Sequence, residues 1–382
     1  MLSTEKPKAK TNTTIANLQV ATKKDLAPKV KDIDLKGEYP YSFMAQIGSL
    51  GGFAQTVPQE YGGVSGEVKT ALQVIETVSE TCLSTGFIGW CQIATAWYIQ
   101  NGDNEYLKRE ALPDIATGKA LAGTGLSNPM KHFTGIEKIA LTATKTNGGY
   151  VVNGMLPWVS NLGKGHYLAI AAEIADSDDY LMAVVKEDFP GVTFKCNAHF
   201  IGLEGTGTYS CVFRDAFIPD EWVLAAPCEA YVNRIKPGFI LTQVGMGLGL
   251  VKSCLDLINR SNKQLGHVNC FLDDCVEDIA QDLSIARFKA YDLADEIVNQ
   301  QSQLDSDYLA AVIQSRLTAS ELSLRASQAA MLHAGARAYL EGSPQERKLR
   351  EAYFVAIVTP AIKQLKKMLY VLSQKPLSQV GS

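Results

Sequence analysis

Chemistry-bearing residues are sparse in this chain, and none forms a reactive set by spacing alone. Trp158-Val159-Ser160-Asn161 sets a large flat ring beside a hydroxyl and an amide, and Gly125-Leu126-Ser127 offers a second hydroxyl next to an unencumbered backbone. Taken alone, Trp158 reads as a strand-end core aromatic and both serines as turn residues. His132 follows Lys131 in the loop NPMKHFTGI, and an imidazole there could act as acid or base near neutral pH. An exposed loop histidine is the plainer reading. His166, His199, His267 and His333 show no metal-ligand spacing.

Several reaction classes are absent as motifs. There is no G-x-S-x-G, no phosphate-binding P-loop and no H-E-x-x-H. GMGLGL sits inside a helical stretch rather than after a strand, so its glycines suit close helix packing, not a dinucleotide. The eight cysteines are scattered without a C-x-x-C pair, which reads as reduced, mostly buried thiols. The formal net charge of −4 gives no general affinity for nucleic acid, and RKLRE and KQLKK read as solvated helix faces. No uninterrupted apolar run reaches the length of about 18 residues that a membrane span needs, and the N-terminus has no apolar signal core. A cytoplasmic location is the expectation.

The elements that must position these residues fall into segments. Residues 1–36 are rich in Lys, Thr and Ala and poor in large apolar groups, so a flexible arm is expected. Residues 37–120 read as a helical domain. Phe43, Met44, Ile47 and Leu50 repeat at helical spacing up to Gly51-Gly52. A long apolar stretch then runs from Val68 to Ile99 with a break near Ser84-Thr85-Gly86, and another helix runs from Asn104 to Thr117. Residues 121–225 change character, with short β-branched runs and a hairpin signal at Asn147-Gly148-Gly149, and read as a β domain. Residues 226–382 return to helix. Stretches 241–259, 271–299, 308–339 and 346–372 predict an antiparallel four-helix bundle.

Five segments, in this order, resemble one known family. VPQEYGG (Val57–Gly63), GLSNP (Gly125–Pro129), YVVNGMLPWVSN (Tyr150–Asn161), FRDAFIPDEWVL (Phe213–Leu224) and KLREA (Lys348–Ala352) are similar to signature segments of the acyl-CoA dehydrogenases. The resemblance spans about residues 37 to 375. It implies a mainly α fold with a central β-barrel-like domain between an N-terminal helical domain and a C-terminal four-helix bundle. It also implies a bound flavin, FAD or alternatively FMN, with Trp158 beside the ring, Ser160 and Ser127 bonding its polar edge, and the backbone of Gly125 and Leu126 along it. A flavin needs such a flat apolar wall with a few hydrogen-bond partners.

The departures from the family are as informative. Its carboxylate base falls at Thr359 by one alignment and at Phe239 by the other, and neither is acidic. A neutral Thr cannot serve as general base near pH 7. The diphosphate-binding segments read NKQLG (Asn262–Gly266), without Arg, and MLHAGARAY (Met331–Tyr339), with Gly335 kept and the double glycine lost. Arg337 either supplies the missing charge or is a solvated helix-end cation. The resemblance thus implies a flavin oxidoreductase acting on an acyl or aminoacyl thioester, on coenzyme A or a carrier protein, in specialised metabolism. Its alternatives are a monooxygenase of the same fold using reduced flavin and oxygen, and a non-catalytic relative. Implied partners are an electron acceptor or flavin reductase and further copies of the chain, as a homodimer or homotetramer.

Overall fold

The computed structural model describes residues 8–64, 67–196, 198–297 and 305–374. Seven helices come first: α1 (Lys8–Ala21), α2 (Val30–Leu35), α3 (Tyr41–Ser49), α4 (Val68–Thr81), α5 (Leu83–Asn101), α6 (Glu105–Glu110) and α7 (Leu112–Ala116). The expected arm is corrected here. Within it, Leu18 of α1, Leu26 of the turn that follows and Ile33 of α2 are buried in the core, and α1 packs on α4. A π-helical turn at Thr22–Leu26 breaks the 3.6-residue period between them, so these widely spaced anchors do not read as one apolar face. The first seven residues of that expected arm lie outside the described residues.

The strands are β1 (Ala122–Thr124), β2 (Leu141–Thr146), β3 (Gly149–Val159), β4 (Tyr167–Ile174), β5 (Tyr180–Lys186), β6 (Val192–Lys195), β7 (Tyr209–Pro219) and β8 (Val223–Ala225). They form one mixed sheet in the order β6-β7-β3-β2-β4-β5-β8, with β1 parallel to β4. The short helix α8 (Ser127–His132) interrupts the run after β1. The antiparallel pairing of β3 with β7 shifts register between Leu156 and Val159, the stretch that holds Pro157 and Trp158. Proline cannot donate to the ladder, and a bulge re-aims the neighbouring side chain.

Six helices follow: α9 (Glu229–Thr242), α10 (Val244–Asn269), α11 (Val276–Glu296), α12 (Ser306–Ala334), α13 (Pro344–Ile357) and α14 (Ile362–Ser373). Helices α10 to α13 pack on one another as the bundle. The fourth expected helix is divided at Val358–Ala361, where Pro360 lacks the N–H a continuing helix needs. The α9–α10 stretch, Glu229–Asn269, is long and apolar enough to cross a membrane, but most of it is buried against the rest of the protein. Its glycines bring α10 against α4: a Cβ on Gly249 would stand 2.2 Å from the Glu76 carbonyl oxygen.

Candidate functional site

A cavity of about 570 Å³ opens where the β domain meets α5, α9 and the end of α13. The sheet side of its wall carries Trp158, Ser160, Thr206 and Thr208. At the register shift in β3, Trp158 is 61% exposed and meets Phe200 in a T-shaped pair at 6.2 Å between ring centres. Ser160 Oγ lies 2.6 Å from Thr208 Oγ1, which lies 2.8 Å from Thr206 Oγ1, so these hydroxyls form a short chain.

The helical side is aromatic. Phe87 and Trp90, one turn apart on α5, stack with ring centres 5.8 Å apart. Phe354 of α13 meets Phe87 edge-on at 4.6 Å, and Phe239 of α9 meets Trp90 at 5.2 Å. Cys91 also lines the wall, and burial pushes its thiol far up, so it stands there as a small neutral group rather than a thiolate nucleophile.

Thr359 and Phe239, expected from the resemblance at the two base positions, both open on this cavity. Thr359 sits in the break between α13 and α14, and its Oγ1 lies 2.8 Å from Ser127 Oγ. Among the described lining residues there is no carboxylate. The cations on the wall are committed elsewhere. Arg350 forms a two-pronged pair with Asp34, at 2.8 and 2.6 Å, and bonds Glu346. Lys131 pairs with Glu137 at 3.3 Å, and His199 lies 3.5 Å from Glu204.

The expected site residues divide into two groups. Ser127, Trp158 and Ser160 line the cavity together. Gly125 and Leu126 stand behind it: Leu126 is core, and a Cβ on Gly125 would stand 2.9 Å from the Ala169 carbonyl oxygen and 2.8 Å from Leu156. That close approach lets the Gly125 N–H donate to Ala169 and aims Ser127 into the cavity. Gly335 and Arg337 do not join them. They lie exposed past the end of α12, Gly335 with φ +62°, and neither lines the cavity of its own chain. Asn262, at the other diphosphate position, is tied inward, accepting from Asn269 at 2.7 Å and bonding His333 at 2.9 Å. His132 also stays off the wall, bonded to the Tyr180 hydroxyl at 2.9 Å.

The family model for the acyl-CoA dehydrogenase N-terminal domain matches residues 13–119. The probable acyl-CoA dehydrogenase YngJ of Bacillus subtilis is 27% identical over 355 residues, covering 88% of this chain and 90% of its own. Butyryl-CoA dehydrogenase from Megasphaera elsdenii superposes with a TM-score of 0.85 at 18% identity, over 98% of this chain and 100% of that one. The N-terminal domain match, these relatives and the shared fold together support the acyl-CoA dehydrogenase superfamily. A solved structure of KijD3, in complex with FMN and an amino-keto deoxysugar nucleotide, shares the fold at TM-score 0.80 and 19% identity, over 97% and 95% of the two chains.

Acyl-CoA dehydrogenases bind FAD, and the residues present fit its ring: an uncovered indole, a hydroxyl chain along the same wall, and a volume within the range of small-molecule sites. The diphosphate half finds no uncommitted cation on this cavity wall. Sequence reasoning missed Phe87, Trp90 and Phe354. The signal was faint because α5 is buried on nearly every face, so apolar periodicity could not single out the pair that borders a cavity.

Proposed function

We propose that this protein is a flavin-dependent oxidoreductase whose reaction needs no carboxylate base, using reduced flavin and oxygen on a substrate held against Phe87, Trp90, Phe239 and Phe354. The observation that carries this reading is the wall itself. Thr359 and Phe239, the positions at which the family resemblance sets the base, both line it, and no described lining residue is acidic. Removing an α-proton from an acyl thioester calls for a base with a suitable pKa within hydrogen-bond reach. The hydroxyls of Ser127 and Thr359 lack that basicity.

When bound, reduced flavin supplies two electrons to oxygen; one oxygen atom enters the substrate and the other leaves as water. The chain's part is to bind, orient and shelter. Trp158 would lie beside the ring, Ser160 and Thr208 would hold its polar edge, and the aromatic wall would keep water from the substrate. The FMN complex of KijD3 supports the reading, since it is a protein of this fold that binds a flavin without the adenine half. FAD and FMN are both candidates here. A flavin reductase is the implied partner.

A second reading, dehydrogenation of an acyl or aminoacyl thioester with electrons passed to an acceptor protein, is supported by the name given to YngJ. Self-association is part of both readings. It is supported by exposed Leu265, Val268 and Phe271 at and just past the end of α10, and by Leu332 in the last turn of α12 with Tyr339 and Leu340 after it, two ends joined by the Asn269–His333 hydrogen bond. The test is turnover of an aromatic and an aliphatic substrate panel with chemically reduced FAD or FMN under oxygen-18. Label in the product supports the first reading. Desaturated product without label favours the second.

A further inference from the structure

Arg316 is fully buried in α12, 0% exposed, and no carboxylate pairs with it among the described residues. Its guanidinium is served only by neutral acceptors. Nε donates to Gln243 Oε1 at 3.0 Å, one terminal nitrogen to Ser320 Oγ, and the other to the Val355 carbonyl at 2.7 Å. Burial pulls its pKa down to about 9, so it still carries its charge at neutral pH. A buried cation without a counter-ion is costly to the fold. Here part of that cost is offset because Val355 lies in the last turn of α13, whose carbonyls favour a cation.

The other contacts run to the cavity. Gln243, itself fully buried, donates from Nε2 to the Thr359 carbonyl at 3.0 Å. Arg316 and Gln243 therefore grip α13 at Val355 and the following turn at Thr359, the residue whose hydroxyl meets Ser127. The other charges near this wall cancel locally. Arg347 and Lys348 share Glu351 while Arg350 meets both Asp34 and Glu346, so those three cations face three acids; Lys131 pairs with Glu137, and His199 lies beside Glu204. Arg316 is the one fully buried side chain in this set whose charge nothing in the described chain balances.

We propose that Arg316 is a positioning residue that, through Gln243 and the end of α13, makes the Ser127–Thr359 wall select a substrate whose reacting group is an anion of the phenolate or enolate class. The inference rests on reading the cavity as the substrate site, not on which flavin reaction occurs there. The bound anion supplies the counter-charge the chain withholds, and the two hydroxyls are the donors that meet it. The aromatic wall formed by Phe87, Trp90, Phe239 and Phe354 suits a planar ring carrying that anion. A unit charge two hydrogen bonds away, acting through a weakly screening interior, shifts an ionisation equilibrium about tenfold.

The probe is 4-nitrophenol, whose neutral and ionised forms have one shape and different absorbance. It is titrated with pH on the purified full chain, flavin-loaded and flavin-free, against matched blanks. The bound phenol should ionise about one pH unit below its value in solution. Arg316→Met removes the charge, and Ser320→Asp neutralises it in place while leaving Gln243 on Thr359. Both should abolish the shift, and Arg316→Lys should keep most of it. Ser320→Asp should also unfold at the same temperature as the wild type or higher, because it gives a buried cation its partner; a merely structural Arg316 would not couple a stabilised fold to a lost shift. A bound phenol with an unshifted or raised pKa, a shift that survives in Arg316→Met and Ser320→Asp, or no binding at all overturns the proposal. Each result stands whether or not oxygen-18 enters a product, so failure here and failure of the oxygenation reading are separable.

Discussion

The two ends of α13 treat charge in opposite ways. In its first half, Lys348, at 2.8 Å, and Arg347, at 3.2 Å, hold the buried Glu351 of its midpoint, which also accepts from the Leu83 N–H at 3.3 Å. Lys348 in turn reaches the Ser79 carbonyl, so this cluster ties α13 to the α4–α5 corner. Just past the other end, Thr359 occupies a position where the family resemblance puts a carboxylate, and its side chain and carbonyl bond the Ser127 hydroxyl and the Gln243 amide. The chain keeps a buried acid where it holds helices together and has none where proton abstraction would need one. On the reading proposed above, the scaffold of a dehydrogenase and the chemistry of one have separated along a single helix.

The largest effect should come from the charged end. Glu351→Gln leaves Lys348 buried without its counter-ion and should cost about 3–5 kcal/mol of stability, read as a lower urea midpoint at unchanged slope. A loss under about 1 kcal/mol would mean that the cluster is not what fixes α13. On the cavity side, Trp158→Ala should raise the flavin dissociation constant about 30-fold, the order of one lost aromatic face, and Ser160→Ala about tenfold, the order of one hydrogen bond. Equal flavin retention in both variants and wild type would place the ring elsewhere.

Thr359→Glu restores an acid to the uncharged end. It should slow oxygen-dependent turnover about tenfold or more, because it puts a charge on an apolar wall, and should let acyl thioesters bleach the bound flavin anaerobically. Bleaching that is the same in wild type and variant would erase the contrast between the two ends.

The smallest effect concerns His166, whose Nδ1 bonds the Asn161 carbonyl at 3.0 Å at the end of the PWVSN segment. Burial holds its pKa below the usual histidine value, against weaker opposing effects of that bond and of Glu187. The folded state therefore binds its proton less readily than the unfolded chain. The neutral ring's contribution is full above about pH 6.5 and fades as pH falls below it. Thermal scans between pH 7.5 and pH 5 should show a fall that His166→Gln partly flattens.

Much of the fold was legible because the segments that build it have local rules. Asn147-Gly148 turns β2 into β3 with Gly148 at φ +76°, and the long apolar helices carry their own period. The first α-helices were not legible: Leu18, Leu26 and Ile33 are too widely spaced, across a π-helical turn, to form one stripe. The site was half legible. Ser127, Trp158, Ser160, Thr359 and Phe239 could be placed through the family resemblance, and they converge on one cavity. Arg316 could not, since a lone arginine within a helical stretch looks like a solvated one until its burial is known.

The central claim, that this cavity works without a carboxylate base, is tested most directly by anaerobic absorbance titration of the flavin-loaded wild-type protein with acyl and aminoacyl thioesters. The account predicts that the oxidised flavin band persists with every thioester, while reduced flavin admitted to oxygen is consumed. Stoichiometric bleaching by any one thioester would contradict it, and would require an acid to reach the ring from outside the described wall.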